Sequence, residues 1–117
     1  MRNVFLGMML FFVTLSTQAQ EAKNKNAKHT VVIKGNCEQC QKRIQKAAFS
    51  VNGVKSAVWD IETHKLALTI NEEKTSVTEV KEAIAKVGHD AEDTKALAAT
   101  YEKLPGCCQY DREEKLN

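Results

Sequence analysis

A switch of hydrophobic period inside residues 35–40, from two residues to about 3.6, most constrains what this chain can fold into. Before the switch, His29-Thr30-Val31-Val32-Ile33-Lys34 is a β-branched run that stops at Gly35, which predicts a first strand. After it, Ile44, Ala47, Ala48 and Val51 fall at i, i+3, i+4 and i+7, one apolar stripe on a helix, and Asn52-Gly53 supplies a left-handed ending. Val54 to Ile61 and Leu66 to Ile70 then read as two strands joined by a hairpin turn at Glu62-Thr63-His64-Lys65. Ser76 and Glu79 form a capping box for a second helix, whose Val77, Val80, Ile84 and Val87 share one side and which stops at Gly88. The order is β-α-β-β-α.

A last strand is expected at His89 to Asp93, but that stretch is polar and lacks alternation, so any pairing should be brief and at a sheet edge. Leu97, Tyr101 and Leu104 share a helical face between Thr94 and Lys103, with Pro105-Gly106 as the stop, which predicts a short helix docked back on the domain. A chain of 117 residues suffices for one compact domain with a real core and is too short for two.

The start of the chain has the form of an export signal: basic Met1-Arg2-Asn3, an apolar run from Val4 to Leu15, and small Thr17 and Ala19 before Gln20. Twelve apolar residues fall short of the roughly 20 that a spanning helix needs. Residues 1–19 are therefore expected to be a signal peptide and 20–28, polar and aperiodic, a flexible leader, with no membrane span after cleavage. The protein is expected to be periplasmic or otherwise exported. The net charge of +2, reduced to +1 when Arg2 leaves with the signal, gives no basic surface of the kind nucleic acid demands.

All four cysteines, Cys37, Cys40, Cys107 and Cys108, lie in the expected mature part. An even count in an exported chain first raises disulfides, but a bridge across C-x-x-C or between neighbours closes a tiny loop and restrains the unfolded chain little. Helix geometry offers another use. Cys40 falls in the first turn of the first helix and Cys37 in the loop before it, so both sulfurs can converge at the surface. The free N–H groups there, with Lys42, Arg43 and Lys46, favour thiolate. Two thiolates on a surface loop suit a soft ion of low coordination number, Cu(I) first and Hg(II) next. Zn(II) is a further alternative, although its structural sites take four protein ligands. Thiol–disulfide oxidoreductases use the same C-x-x-C spacing at a helix N-terminus, so a redox enzyme is the rival class. No carboxylate pair or nucleophile–base set otherwise argues for catalysis, and the chain is read as a binder rather than an enzyme.

The motifs Gly35-Asn36-Cys37-Glu38-Gln39-Cys40, Lys42-Arg43-Ile44, Asn52-Gly53-Val54 and Val87-Gly88-His89-Asp90-Ala91 together resemble the heavy-metal-associated domain family. That family includes copper chaperones, the N-terminal metal domains of copper-pumping ATPases and periplasmic mercury-binding proteins. The resemblance covers about residues 29–93. It implies an α+β fold, a ferredoxin-like βαββαβ sandwich, here with a short C-terminal helix and Cys-Cys tail over 94–117. It also implies that Cys37 and Cys40 are the metal ligands and that an incoming thiolate takes the ion through a three-coordinate intermediate. A copper-exporting ATPase, an efflux component or another thiol-rich metalloprotein would be the partner, and the protein would be a monomer or a metal-bridged dimer. The family commonly reads Gly-Met-x-Cys-x-x-Cys, with the Met packed under the loop. Here Gly35-Asn36-Cys37 is one residue shorter, or Gly35 stands in place of the Met.

The resemblance also places His89 on a loop facing the metal, as a third ligand or a gate, against the plainer reading of a histidine at a helix end. His29 and His64 read as solvated surface residues, and Trp59, Phe49 and Tyr101 as packing residues. Neighbouring Cys107 and Cys108 can hardly form an unstrained bridge. Several readings stay open for them: completing a site of up to four sulfurs with Cys37 and Cys40, forming a separate loading or hand-off site, making disulfides with that first pair, or having no defined role.

Overall fold

The computed structural model describes residues 23–112, so the export signal expected at 1–19 lies outside the described residues. Strand β1 (Ala27–Val32), helix α1 (Glu38–Phe49), strands β2 (Val54–Trp59) and β3 (Lys65–Ile70) and helix α2 (Val77–Lys86) follow the order that the periodicity predicts. The three strands form an antiparallel sheet in the order β1-β3-β2, with β3 in the middle. Period-two alternation sends Val31, Ala57, Trp59, Leu66, Leu68 and Ile70 to one face, where α1 and α2 cover them with Ile44, Ala48, Val80 and Ile84. The other face carries Val32 and Val58 in solvent. Burial of the shared face at about 25 cal/mol per Å² is the main force holding this frame.

Strand β1 begins at Ala27, two residues before the expected start at His29. Ala27 is buried against the far end of β3, opposite Ile70, and before it the Asn24 carbonyl accepts from the Glu72 N–H while the Asn24 N–H donates to the Glu72 carboxylate. Ala27 and Lys28 therefore belong to the sheet rather than to a flexible leader, and a turn at 25–26 with Asn24 anchors the residues just before them. The hairpin between β2 and β3 is an Asx turn: Asp60 Oδ1 accepts from the N–H groups of Glu62 and Thr63, and His64 takes a positive φ of 61°. The capping box of α2 is partly as expected. Ser76 Oγ accepts from Glu79 N–H at 3.2 Å, whereas the Glu79 carboxylate turns to Thr75 Oγ1 at 2.6 Å.

The sixth element of the sandwich is reduced to bridges. Ala91 pairs with Ile33 and with Thr94, and Lys34 N–H and Glu92 N–H bond to Asp90 and Val32 carbonyls at 2.9 and 3.0 Å. The polar run 89–93 thus extends the β1 edge for only a few residues. Beyond it the chain forms a short helix, α3 (Ala98–Glu102), and a 3-10 turn at Gly106–Cys108. The expected helix over 94–103 is cut to five residues, and Leu97, outside its first turn, is 75% exposed instead of docked. Leu104 does the docking. It is buried, and it lies so close over Gly88, at φ 107°, that a Cβ there would meet Leu104 at 2.9 Å. Among the described residues no helix is long and apolar enough to cross a membrane.

Candidate metal centre

The N-terminus of α1 places the first two sulfurs. Cys37 is the N-cap residue in extended conformation, Cys40 is in the first turn, and their Sγ atoms lie 3.4 Å apart. Glu38 and Gln39 between them face solvent. Cys40 is fully buried and takes a 3.4 Å contact from the Asn36 N–H, whereas Cys37 is half-buried.

The loop rests on an aromatic side chain. Trp59, completely buried, donates its indole N–H to the Ile33 carbonyl at 3.0 Å, just before the loop begins. Helix α1 grips the same residue from the other side. Gln41 Nε2 donates to the Trp59 carbonyl at 2.8 Å, and Gln45 Oε1 accepts from the Trp59 N–H at 3.1 Å. A Cβ on Gly35 would sit 3.0 Å from the Trp59 ring and 3.1 Å from Cys40 Cβ. Gly35 therefore leaves room for the indole, which fills the space under the loop. His64 covers the outer side of that indole, stacked at 5.7 Å and 2°, so it is a packing residue rather than a solvated one. His29 is half-buried and lies 3.7 Å from Glu72. Phe49, at the last position of α1, is half exposed and contributes little to the core.

A third sulfur arrives from the C-terminal arm. Cys108 is buried, its Sγ 3.5 Å from that of Cys37, and the Sγ atoms of Cys37, Cys40 and Cys108 all lie within 4.8 Å of one another. Cys107 points outward. It is exposed, 3.7 Å from Cys108 Sγ and 3.4 Å from Gln39 Oε1, and it stays outside the group of three. All four thiols are free.

His89 does not join the sulfurs. It is buried, Nδ1–H donates to the Lys34 carbonyl at 2.8 Å, and Nε2 faces Arg43 Nη1 at 3.4 Å. With one nitrogen bonded to a carbonyl and the other turned to a guanidinium, the ring offers no lone pair to an ion at the cluster. The position after Gly88 suggested a ligand; the contacts make His89 a strut between the loop after β1 and α1, stacked on Tyr110 at 5.6 Å. Burial, reinforced by the Arg43 charge, holds its pKa below the usual imidazole value, although the Lys34 carbonyl and Asp90 oppose this.

The residues that hold the arm include Asp90, from the Val87–Ala91 motif, and Tyr101, from the helical face expected to dock. The Asp90 carboxylate, nearly fully buried, takes Arg112 in a two-pronged pair at 2.9 and 3.1 Å and accepts from Ala96 N–H at 2.8 Å. Tyr110 Oη donates to the Gly88 carbonyl and accepts from Asp90 N–H, both at 2.8 Å. Tyr101 packs edge-on against Tyr110, donates to its carbonyl and carries the Arg112 guanidinium over its ring. The apolar spacing of Tyr101 and Leu104 foretold the docking, whereas the Asp90–Arg112 pair and the role of Tyr110 had no counterpart in the sequence pattern.

Electrostatics divide the thiols. Desolvation pushes Cys37 up, but the Cys40 N–H, the thiols of Cys40 and Cys108 and the Gln39 N–H outweigh it and bring it down to about 7. Burial pushes Cys40 up to about 12, with the Cys108 and Cys37 thiols adding to the rise. The hydrogen bond with the Cys108 thiol is the main cause that carries exposed Cys107 up to about 11. Cys37 is thus drawn toward thiolate and Cys40 held toward thiol, and a cation bound by both would displace the remaining proton.

Comparison with known proteins agrees with this geometry. The model of the heavy-metal-associated domain matches residues 36–90, a span that ends before the arm. A copper chaperone, CopZ, of Staphylococcus haemolyticus strain JCSC1435 is 33% identical over 54 residues, 46% of this chain and 79% of that protein. A copper-exporting P-type ATPase of Staphylococcus saprophyticus is 33% identical over 67 residues, 57% of this chain and 8% of that much longer protein. Among solved structures, the N-terminal domain of a potential copper-translocating P-type ATPase from Bacillus subtilis, in its Cu(I)-loaded state, has a TM-score of 0.54 at 28% identity. That match covers 56% of this chain and 84% of the domain. With its C-x-x-C at the start of α1, its open-faced sandwich and these relatives, the chain belongs to the heavy-metal-associated domain family.

Proposed function

We propose that this protein is an exported carrier of Cu(I), which it binds on Cys37 and Cys40 and passes by thiolate exchange to a thiol-rich acceptor. The carrying observation is the pair of sulfurs 3.4 Å apart at the start of α1, one brought down to about 7 and accessible, the other buried. A soft, singly charged cation of low coordination number matches that donor set better than a hard one. Hg(II) shares the preference for sulfur and is the alternative cargo. The relatives support the reading of the acceptor, because one is named a chaperone and another a copper-exporting ATPase.

Transfer on this reading needs no redox change. An acceptor thiol gives up its proton and bonds to the ion, one Cys–metal bond breaks, and the departing cysteine takes up a proton. Export belongs to the proposal through the basic start, apolar run and small residues of 1–19, and Gln20 as the first residue of protein recovered from outside the cytoplasm would support it.

The experiment is anaerobic mixing of Cu(I)-loaded protein with the isolated metal-binding domain of a copper-exporting ATPase, followed by separation and metal analysis. Copper should distribute between the two within the mixing time, with no released chelatable ion. Catalytic turnover of a disulfide substrate, with no copper passed on, would overturn the carrier reading and leave the oxidoreductase.

A further inference from the structure

Two sulfurs satisfy the family's site, yet the arm that follows the matched domain brings a third one to it. Cys108 lies 71 residues from Cys37 in sequence, and no local geometry requires their sulfurs to meet at 3.5 Å. The meeting is built by contacts on both sides of Cys108. Before it, Leu104 seats over the bare Cα of Gly88 and the Cys108 N–H closes a 3-10 turn on the Pro105 carbonyl at 2.8 Å. After it, the Tyr110 hydroxyl bridges Gly88 and Asp90, and Arg112 locks onto Asp90. Both fastenings grip residues 88–90, the loop whose His89 also bonds to Lys34 at the foot of the metal loop.

We propose that Cys108 is a third ligand of the cargo ion, so that the loaded protein holds it in a closed, three-sulfur site made by Cys37, Cys40 and Cys108. The proposal rests on the carrier reading above and adds how release is controlled. A thiolate–metal bond of about 2.3 Å, the zinc value taken as a guide, sets trigonal sulfurs about 4 Å apart and linear ones about 4.6 Å apart. The 3.4 and 3.5 Å separations lie nearer the trigonal spacing, and the 4.8 Å envelope of the three accommodates it. Cys108 is completely buried, so the arm also covers the side of the site on which it sits.

The consequence is a latch. In a two-ligand carrier the third position is open to the acceptor's thiolate, whereas here Cys108 fills it. For transfer to begin, the incoming thiol loses its proton and forms a new metal–sulfur bond, the bond to Cys108 breaks, and the Cys108 sulfur takes up the proton. The ion keeps its charge throughout. Such a site holds cargo firmly and releases it slowly, which suits a scavenger that gives up its ion only to a docked acceptor. Exposed Cys107, 3.7 Å from Cys108 Sγ, is not a ligand in this closed state.

The test is sulfur coordination by X-ray absorption on the Cu(I)-loaded full chain, prepared anaerobically with reductant, for wild type, C107S and C108S. The expected result is three sulfurs in wild type and in C107S and two in C108S, with transfer to a small dithiol acceptor at least several-fold faster for C108S. Two sulfurs in wild type would overturn the proposal, and this arm stands even should C108S fail to fold. Three sulfurs lost in C107S rather than C108S, or equal transfer rates, would overturn it as well. Failure of the carrier reading looks different, since wild type would then take up no copper at all.

Discussion

The frame from Ala27 to Asp93 and the arm from Thr94 to Arg112 are put together by different forces. In the frame, an alternating sheet face and two apolar helix stripes bury each other, and the Cys37–Cys40 pair follows from local geometry at the start of α1. In the arm, helix α3 buries no residue, and the segment is held by Leu104, Cys108 and Tyr110 together with the polar contacts around Asp90. The frame therefore fixes the Cys37–Cys40 pair by local geometry, and the arm brings the Cys108 sulfur beside it by tertiary contacts. An appended segment can thus bring a new side chain to a loop without any change in the core beneath it.

The sharpest challenge to that division is Trp59→Ala. It removes the largest core side chain, the bond to Ile33 and the support of the loop at once. A loss of about 3–5 kcal/mol in urea unfolding is expected, with frame and arm melting together. Arg112→Ala should act on the arm alone. It leaves the Asp90 carboxylate buried without its charged partner, at a cost of about 3 kcal/mol by analogy with other broken buried pairs. Hydrogen exchange should then speed up at the N–H groups of Cys108 and Tyr110, while those of β3 keep their protection. Equal acceleration in β3 would show that the arm is part of the frame.

The smallest effect is one of pH. His89 is buried neutral, and its folded pKa lies below the unfolded value of 6.5. The unfolded chain therefore binds more protons than the folded one in the window below 6.5. This contribution to stability is complete above that value and is lost as pH falls through the folded pKa. His89 faces Arg43, Asp90 and Tyr110, and the paired Asp90 carboxylate does not remove the burial cost. Denaturation midpoints measured from pH 8 to pH 5 should fall in wild type and fall less in H89N.

The parts legible in the sequence were those fixed by local rules. Period two and period 3.6 announce the strands and helices, and a cysteine pair at a helix start has one geometry available to it. Tertiary choices left weaker traces. Nothing near Gly35 says that Trp59, from another strand, fills the space under the metal loop. The position of His89 pointed to the metal, but the Lys34 carbonyl and Arg43, both distant in sequence, claim its nitrogens. Leu97 reads as inward by spacing, yet α3 begins after it and leaves it in solvent. Phe49 reads as a packing residue and ends on the exposed side of the last turn of α1. The convergence of Cys108 on Cys37 was open in the sequence among several outcomes, because the contacts that bring it about span residues 88–112.

The ligand role of the α1 pair is tested most directly by anaerobic competition of wild type and C37S/C40S against a calibrated Cu(I) chelator. Wild type should withdraw one equivalent of copper, and the double variant should bind at least about a hundredfold more weakly, close to 3 kcal/mol. Undiminished affinity in C37S/C40S would contradict the assignment of Cys37 and Cys40 and everything built on it.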